Sequence, residues 1–205
     1  MISMFQMAAD DIERRIHWVE IATIAWMIAE TTASLFAAWR AHSPALLAFG
    51  GDSAIELLSA AMVLWGIRAV AADTRSKRNV DLLVGGLLFA LAAYILVISC
   101  VTLAGHREPK RTLLGIATLI AAAIIMPVLA KEKRKLSAAT GNAALRADAA
   151  QSATCAYLSV IALVGLVANA VWHAAWADPL AALAIVPFVV WEGREAMQSR
   201  PCGCS

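Results

Sequence analysis

Apolar residues occur in six long blocks that are separated by short polar or charged segments. The blocks run from about 16 to 39, 44 to 70, 82 to 104, 113 to 130, 149 to 172 and 179 to 191. A membrane-spanning helix needs about 20 mostly apolar residues, and most of the blocks have this length. The pattern predicts an all-α membrane protein with six transmembrane helices in residues 16–197. A polar lead, 1–15, would precede this domain, and a short tail, 198–205, would follow it.

Composition supports a membrane protein and leaves no room for a separate soluble domain. The chain has 205 residues, of which 61% are hydrophobic and 16% charged, whereas a soluble domain carries about 25% charged residues. The net charge of +2 is too small to indicate a nucleic-acid partner. The four cysteines do not have the spacing of a disulfide framework.

The Lys and Arg residues are distributed unevenly between the two sides of the predicted membrane domain. With six crossings, 13 of the 17 fall on the side that holds both termini, and 4 fall on the other. Cytoplasmic loops carry the excess of positive charge, so both termini are predicted to be cytoplasmic. The basic run 131–135 is predicted as a loop on that side. Aromatic residues typical of the membrane interface lie near block ends: Trp18, Trp39, Trp172, Trp176 and Trp191.

Two carboxylates lie within the second apolar block. Asp52 and Glu56 are four residues apart, so a helix places them on one face, one turn from each other. Ionisable groups inside a membrane are costly and mark candidate functional sites. Two such carboxylates repel each other unless they share protons or a cation, which is what a metal–proton exchanger needs. A structural pair held by hydrogen bonds is the alternative.

A second polar stripe lies at the start of the fifth block. Asp148, Gln151 and Cys155 are spaced three, four and seven residues apart, which again defines one helix face. With Asp52 and Glu56 they could supply oxygen and sulfur ligands to a metal such as Zn²⁺. Each also has a structural interpretation. Asp148 could favour a helix N-terminus, Gln151 could join helices, and Cys155 could pack as a small hydrophobe.

Other polar groups are weaker candidates. Glu30, in the first block, could assist the site or carry protons. His42, His106 and His173 fall on the outer side, where they could form a metal exit or be scattered solvated histidines. Cys202 and Cys204 could collect soft metals. Asp178 followed by Pro179 predicts the N-cap of the sixth helix.

Four segments, in order, resemble the cation diffusion facilitator family. Residues 43–56, Ser-Pro-Ala-Leu-Leu-Ala-Phe-Gly-Gly-Asp-Ser-Ala-Ile-Glu, resemble its second helix. Residues 146–155, Arg-Ala-Asp-Ala-Ala-Gln-Ser-Ala-Thr-Cys, resemble its fifth. Residues 176–185 and 192–195 are similar to the entry and exit of its sixth. The resemblance covers about 14 to 197.

The resemblance implies a cation-efflux-type bundle that exports a divalent metal, Zn²⁺ or a similar cation, by alternating access with proton antiport. Asp52, Glu56 and Cys155 would bind the ion, with Gln151 or Asp148 as the fourth ligand. It further implies a homodimer and a multi-pass protein of a bacterial inner membrane. A thiolate ligand favours Zn²⁺, Cd²⁺ or Co²⁺ over Mg²⁺ or Ca²⁺.

The chain also departs from the family's usual pattern. Typical members have His-x-x-x-Asp where this chain has Gln151 and Cys155, and their loop between helices four and five is often histidine-rich. They also carry a C-terminal cytoplasmic domain, whereas this chain ends at Ser205, so a short bacterial branch without that domain is expected.

Two other classes of function are considered. A metal-binding accessory or sensor protein that does not transport is the alternative to a transporter. An intramembrane enzyme is not expected, because the sequence has neither a His-Glu-x-x-His run nor a Gly-x-Ser-x-Gly elbow.

Overall fold

The computed structural model describes residues 2–66, 74–105 and 109–198, with side chains described for 12–62, 78–105, 109–142 and 145–198. It contains six helices and, in these ranges, no strand, which confirms the predicted all-α fold. The helices are α1 (Ile2–Ala41), α2 (Pro44–Gly66), α3 (Thr74–Leu103), α4 (Leu113–Thr140), α5 (Ala143–Trp172) and α6 (Ala177–Gln198). The predictions for His106, Cys202 and Cys204 concern residues outside the described ranges.

Several helices extend beyond the apolar blocks that predicted them. α1 begins at Ile2, so the polar lead is helical from its second residue. α4 continues through the basic run 131–135 to Thr140, so the prediction of a loop at this run was wrong. The residues of this segment, mostly Lys, Arg, Glu, Leu and Ala, favour helix. The end of the fourth apolar block therefore marked a change in polarity and not the end of the helix. α4 ends at Thr140 and is capped by Gly141, whose φ of 68° is left-handed.

Five helices, α1 to α5, have membrane-spanning length and hydropathy. α6, the remaining helix, carries Asp178, Glu192, Arg194 and Glu195 along its 22 residues. Large apolar side chains cover the outside of the bundle, which is expected where lipid is the solvent. The five tryptophans predicted near the membrane interfaces, Trp18, Trp39, Trp172, Trp176 and Trp191, are all exposed.

The connections α1–α2, α3–α4 and α5–α6 meet at one end of the bundle, here called the outer end in keeping with the predicted orientation. The backbone N–H of Lys110 donates to the carbonyl of Ala41 over 2.7 Å. The side-chain amide of Asn169 donates to the carbonyl of Pro109 over 3.0 Å. These bonds join the ends of α1 and α5 to the segment that precedes α4.

α2 is the central helix, because it packs against α1, α3, α5 and α6. Two glycines allow this close packing. A Cβ atom on Gly50 would lie 2.5 Å from Ser34 Oγ of α1, and one on Gly51 would lie 2.7 Å from Leu91 Cδ1 of α3. Asp52 directly follows these glycines. Because the helices approach closely here, its side chain lies in the middle of the bundle and is 1% exposed.

The outer ends of α2 and α6 are joined by Asp178. Its Oδ2 accepts a hydrogen bond from Ser43 Oγ at 2.5 Å, and its Oδ1 accepts one from the Ala45 N–H at 3.1 Å. Ser43 Oγ in turn accepts from the Leu46 N–H at 3.1 Å, which is N-cap geometry for α2. The prediction that Asp178 caps its own helix was therefore wrong. α6 begins one residue earlier, at Ala177, and the Asp178 side chain stabilises the start of α2.

Candidate metal site

Three carboxylates from two helices meet inside the bundle. One carboxylate oxygen from each of Asp52 and Glu56 on α2 and Glu192 on α6 lies within 4.8 Å of the others. Asp52 and Glu192 are buried, and Glu56 is half-buried. The one-turn spacing of Asp52 and Glu56 directs both toward α6, which packs against this part of α2. We call these three residues the carboxylate triad.

Two oxygens of the triad lack hydrogen-bond partners. Asp52 Oδ1 and Glu192 Oε2 are inaccessible to solvent and make no hydrogen bond to any described residue. Buried polar atoms in proteins are nearly always partnered, and neighbouring buried carboxylates are tolerated when they share protons or bind a cation. The donor set therefore fits a divalent cation, which would satisfy the free oxygens and offset the charge.

Gln151 connects α5 to the triad. Its Nε2 donates a hydrogen bond to Glu56 Oε1 and lies 3.5 Å from Glu192 Oε1. The amide thus contacts one carboxylate from each of the two helices. The same amide can turn its carbonyl oxygen toward a cation, because the two ends of a carboxamide have nearly the same shape.

Cys155, one turn further along α5, contacts a different pair of residues. Its Sγ lies 3.5 Å from Glu30 Oε1 on α1 and 4.0 Å from Ser53 Oγ on α2. Ser53 Oγ is also 3.5 Å from Glu30 Oε1. All three residues are at most 2% exposed. Glu30 therefore contacts Cys155, the candidate ligand from the sequence. Glu30, Ser53 and Cys155 form a second polar cluster beside the triad.

Asp148 pairs with a lysine. Its Oδ2 lies 2.5 Å from Lys133 Nζ on α4, and Lys133 also donates to Ser152 Oγ over 3.2 Å. The Lys133 side chain has no exposed surface, whereas that of Asp148 is 38% exposed. The ion pair accounts for Asp148 in structural terms, and the structure does not bring this carboxylate into the triad.

The described histidines of the outer end lie at helix ends. His42 and His173 directly follow α1 and α5, with φ of 54° and 55°. Residues in this left-handed region commonly end helices, and both side chains are exposed.

Glu192 is the candidate ligand that the sequence analysis missed. It directly follows the sixth apolar block. The sequence analysis included it only in the segment 192–195, which is similar to the end of the family's sixth helix. Its isolated position in sequence gave no spacing signal of the kind that links Asp52 to Glu56. The available signal was its carboxylate near the C-terminal end of a helix, where negative charge is unfavourable.

A sequence-family comparison bears on the whole helical bundle. The model described as the cation efflux transmembrane domain matches residues 21–197, which include the carboxylate triad and the Glu30–Ser53–Cys155 cluster. No curated protein matches the chain significantly.

Proposed function

Since this chain belongs to the cation efflux family, and is thus a metal cation efflux transporter of the membrane, we propose that its substrate is a zinc-like divalent ion. We further propose exchange for protons by alternating access. The protein would act as a homodimer in a bacterial inner membrane with both termini in the cytoplasm. The 13-to-4 division of Lys and Arg supports this orientation.

The observation that carries the proposal is the buried carboxylate triad with its two unpartnered oxygens. Asp52, Glu56 and Glu192 would bind the ion, and Gln151 would turn its carbonyl oxygen toward it as a fourth ligand. Oxygen ligands at about 2.0–2.2 Å suit Zn²⁺ in a four-coordinate site. The three acidic oxygens would take the place of the water shell that the ion loses on entering the membrane.

Proton coupling follows from the charge of an empty site. When the ion leaves, neighbouring buried carboxylates without compensation are strongly unfavourable. Protons from the opposite side would offset this charge, and the next metal ion would displace them. Metal and protons would therefore bind in alternation, so that one crosses outward as the other crosses inward.

The test is Zn²⁺ flux in proteoliposomes that hold a metal-sensitive dye, together with an internal pH dye. We expect Asp52→Asn, Glu56→Gln and Glu192→Gln each to lower the flux at least ~10-fold, since a lost charged ligand costs more than about 1.4 kcal/mol. Zn²⁺ movement in the wild-type protein should be accompanied by opposite proton movement.

Glu195→Gln is the matched control. Glu195 has the same side chain and lies three residues beyond Glu192 on α6, but it is exposed, so its variant should transport like the wild type. Flux near the wild-type level in all three triad variants would refute the site. Zn²⁺ flux without proton movement would refute the antiport mechanism alone.

A further inference from the structure

We propose that a basic pocket at the outer end, between the end of α1 and the start of α4, binds the phosphate headgroup of an anionic phospholipid. The pocket has a volume of about 700 Å³, and its lining includes Arg40, Lys110 and Arg111. It shares no residue with the carboxylate triad. The proposal therefore goes beyond the transport function and does not depend on the metal.

Positive charge at the outer end is concentrated in this pocket. Four Lys and Arg residues are assigned to the outer side by the sequence, and three of them line it. All three side chains are exposed, and none forms an ion pair with a carboxylate of the described residues. The described residues that line the pocket include no acid. The three charges are therefore available to an external anion.

The first turn of α4 adds to this positive field. α4 begins at Leu113 after the N-cap residue Thr112, and both residues line the pocket. A helix N-terminus carries partial positive charge that acidic side chains commonly offset, but the first turn of α4 has no acidic residue. Lys110 and Arg111 instead precede the N-cap directly. A bound phosphate would stabilise this arrangement, in which like charges otherwise repel.

The apolar part of the lining favours a lipid over a small soluble anion. Phe36, Leu113 and Leu114 line the same pocket and are 52%, 86% and 46% exposed. Trp39 is next to Arg40 in sequence and also exposed, as is typical of the membrane interface. A lipid would place its phosphate among the cations and its acyl chains along the apolar side chains, which a free phosphate would leave uncovered. Basic pockets between transmembrane helices bind anionic lipid headgroups in this way.

A bound headgroup would join two helices. Arg40 is in the last turn of α1, whereas Lys110 and Arg111 precede α4. The Lys110 N–H already donates to the Ala41 carbonyl at this junction. A phosphate that contacts cations from both sides would reinforce the junction, so an anionic lipid should raise the unfolding temperature of the protein as well as bind to it.

Titration of the purified full-length protein in a neutral detergent with a fluorescent phosphatidylglycerol tests the pocket. We expect saturable binding that phosphatidylcholine, whose headgroup has no net charge, does not compete away. Arg40→Gln and Arg111→Gln should each weaken binding about fivefold, and the triple variant Arg40→Gln/Lys110→Gln/Arg111→Gln about 100-fold, because each cation near an anionic lipid contributes a similar amount. The deacylated headgroup, glycerophosphoglycerol, lacks the acyl chains and should compete only at more than ~100-fold higher concentration than the lipid.

Lys131→Gln/Arg134→Gln/Lys135→Gln is the matched control. It removes the same charge from exposed side chains toward the other end of α4, so it should bind the lipid like the wild type. In detergent alone, both triple variants should unfold near the wild-type temperature, and phosphatidylglycerol should then raise this temperature for the wild type and the control only. If the pocket triple variant does not fold, the two single variants decide.

Three results would overturn the proposal. Equal affinity in the wild type and the pocket variants would refute the site. An equal loss of binding in the control variant would mean that the lipid responds to net charge and not to the pocket. Competition by glycerophosphoglycerol at concentrations similar to those of the lipid would show a site for free anions.

Discussion

Lys133 occupies a buried environment that restricts its substitution. Its side chain has no exposed surface, and its ammonium contacts Asp148 and Ser152. A buried ion pair adds little net stability, because desolvation offsets the attraction. Loss of Asp148 is costly because it removes the carboxylate in direct contact with this buried ammonium.

Asp148→Asn is therefore expected to lower the free energy of unfolding, toward the low end of the ~3–5 kcal/mol typical of broken buried pairs, since Asp148 is partly exposed. Chemical denaturation in detergent would measure the change. The double variant Lys133→Met/Asp148→Asn should recover most of it, and Lys135→Met, at an exposed lysine on the same helix, should have little effect. A double variant less stable than Asp148→Asn would contradict this interpretation of the pair.

Cys155 determines metal preference if its sulfur is a ligand. Soft ligands select softer metals, so Cys155→Asp should lower the ratio of Cd²⁺ flux to Mn²⁺ flux by about tenfold, or about 1.4 kcal/mol. Cys155→Ala should reduce Cd²⁺ flux most. Metal-specific flux, normalised to folded protein, would measure both. A neutral Cys155→Ala together with an inactive Cys155→Asp would instead indicate that the cysteine only packs.

At the scale of the helices, the sequence predicted the number and order of the elements but not all of their ends. The apolar blocks indicate where the chain meets lipid, and a helix can continue beyond the lipid. α4 accordingly continues ten residues past the fourth block, to Thr140. Candidate ligands on one helix could be inferred from spacing, as for Asp52 and Glu56. The contacts of Glu30 with Cys155 and of Glu192 with Asp52 and Glu56 depend on which helices pack together, and hydrophobic periodicity carries no such information.

Packing between α5 and α6 depends on a glycine. A Cβ on Gly165 would lie 2.5 Å from Ala181 Cβ and 3.1 Å from the Ala177 carbonyl oxygen, so backbone as well as side chain would have to move. Small residues allow this close approach in membrane bundles.

Gly165→Ala should therefore destabilise the protein by about 1–3 kcal/mol, the usual cost of overpacking. Gly86→Ala is the matched control, because a Cβ there would meet nothing within 4 Å. Alanine favours helix over glycine by up to about 1 kcal/mol, so this variant should be neutral or stabilised. Thermal unfolding of both variants in the same detergent would show the opposite signs. Equal effects would mean that close packing at Gly165 is unimportant.

At the scale of the whole molecule, orientation in the membrane was predicted from charge alone. Lys110 lies in the segment before α4 at the outer end, and Arg134 lies near the opposite end of that helix. Both side chains are exposed.

In a cysteine-free background and intact cells, Lys110→Cys should react with an impermeant maleimide, and Arg134→Cys should react only after the membrane is permeabilised. Labelling of the purified variants would establish that both thiols are reactive. The reverse pattern in intact cells would place the termini outside.

Asp178 has a consequence for how the bundle can open. Any movement that separates the outer ends of α2 and α6 must break its hydrogen bonds to Ser43 and to the Ala45 N–H. Hydrogen bonds to charged groups contribute about 1.5–3 kcal/mol each, so the two together make separation at least ~100-fold less favourable than it would be without them. Asp178 thereby stabilises the contact between the outer ends of α2 and α6, more than a helical turn away from the nearest triad residue.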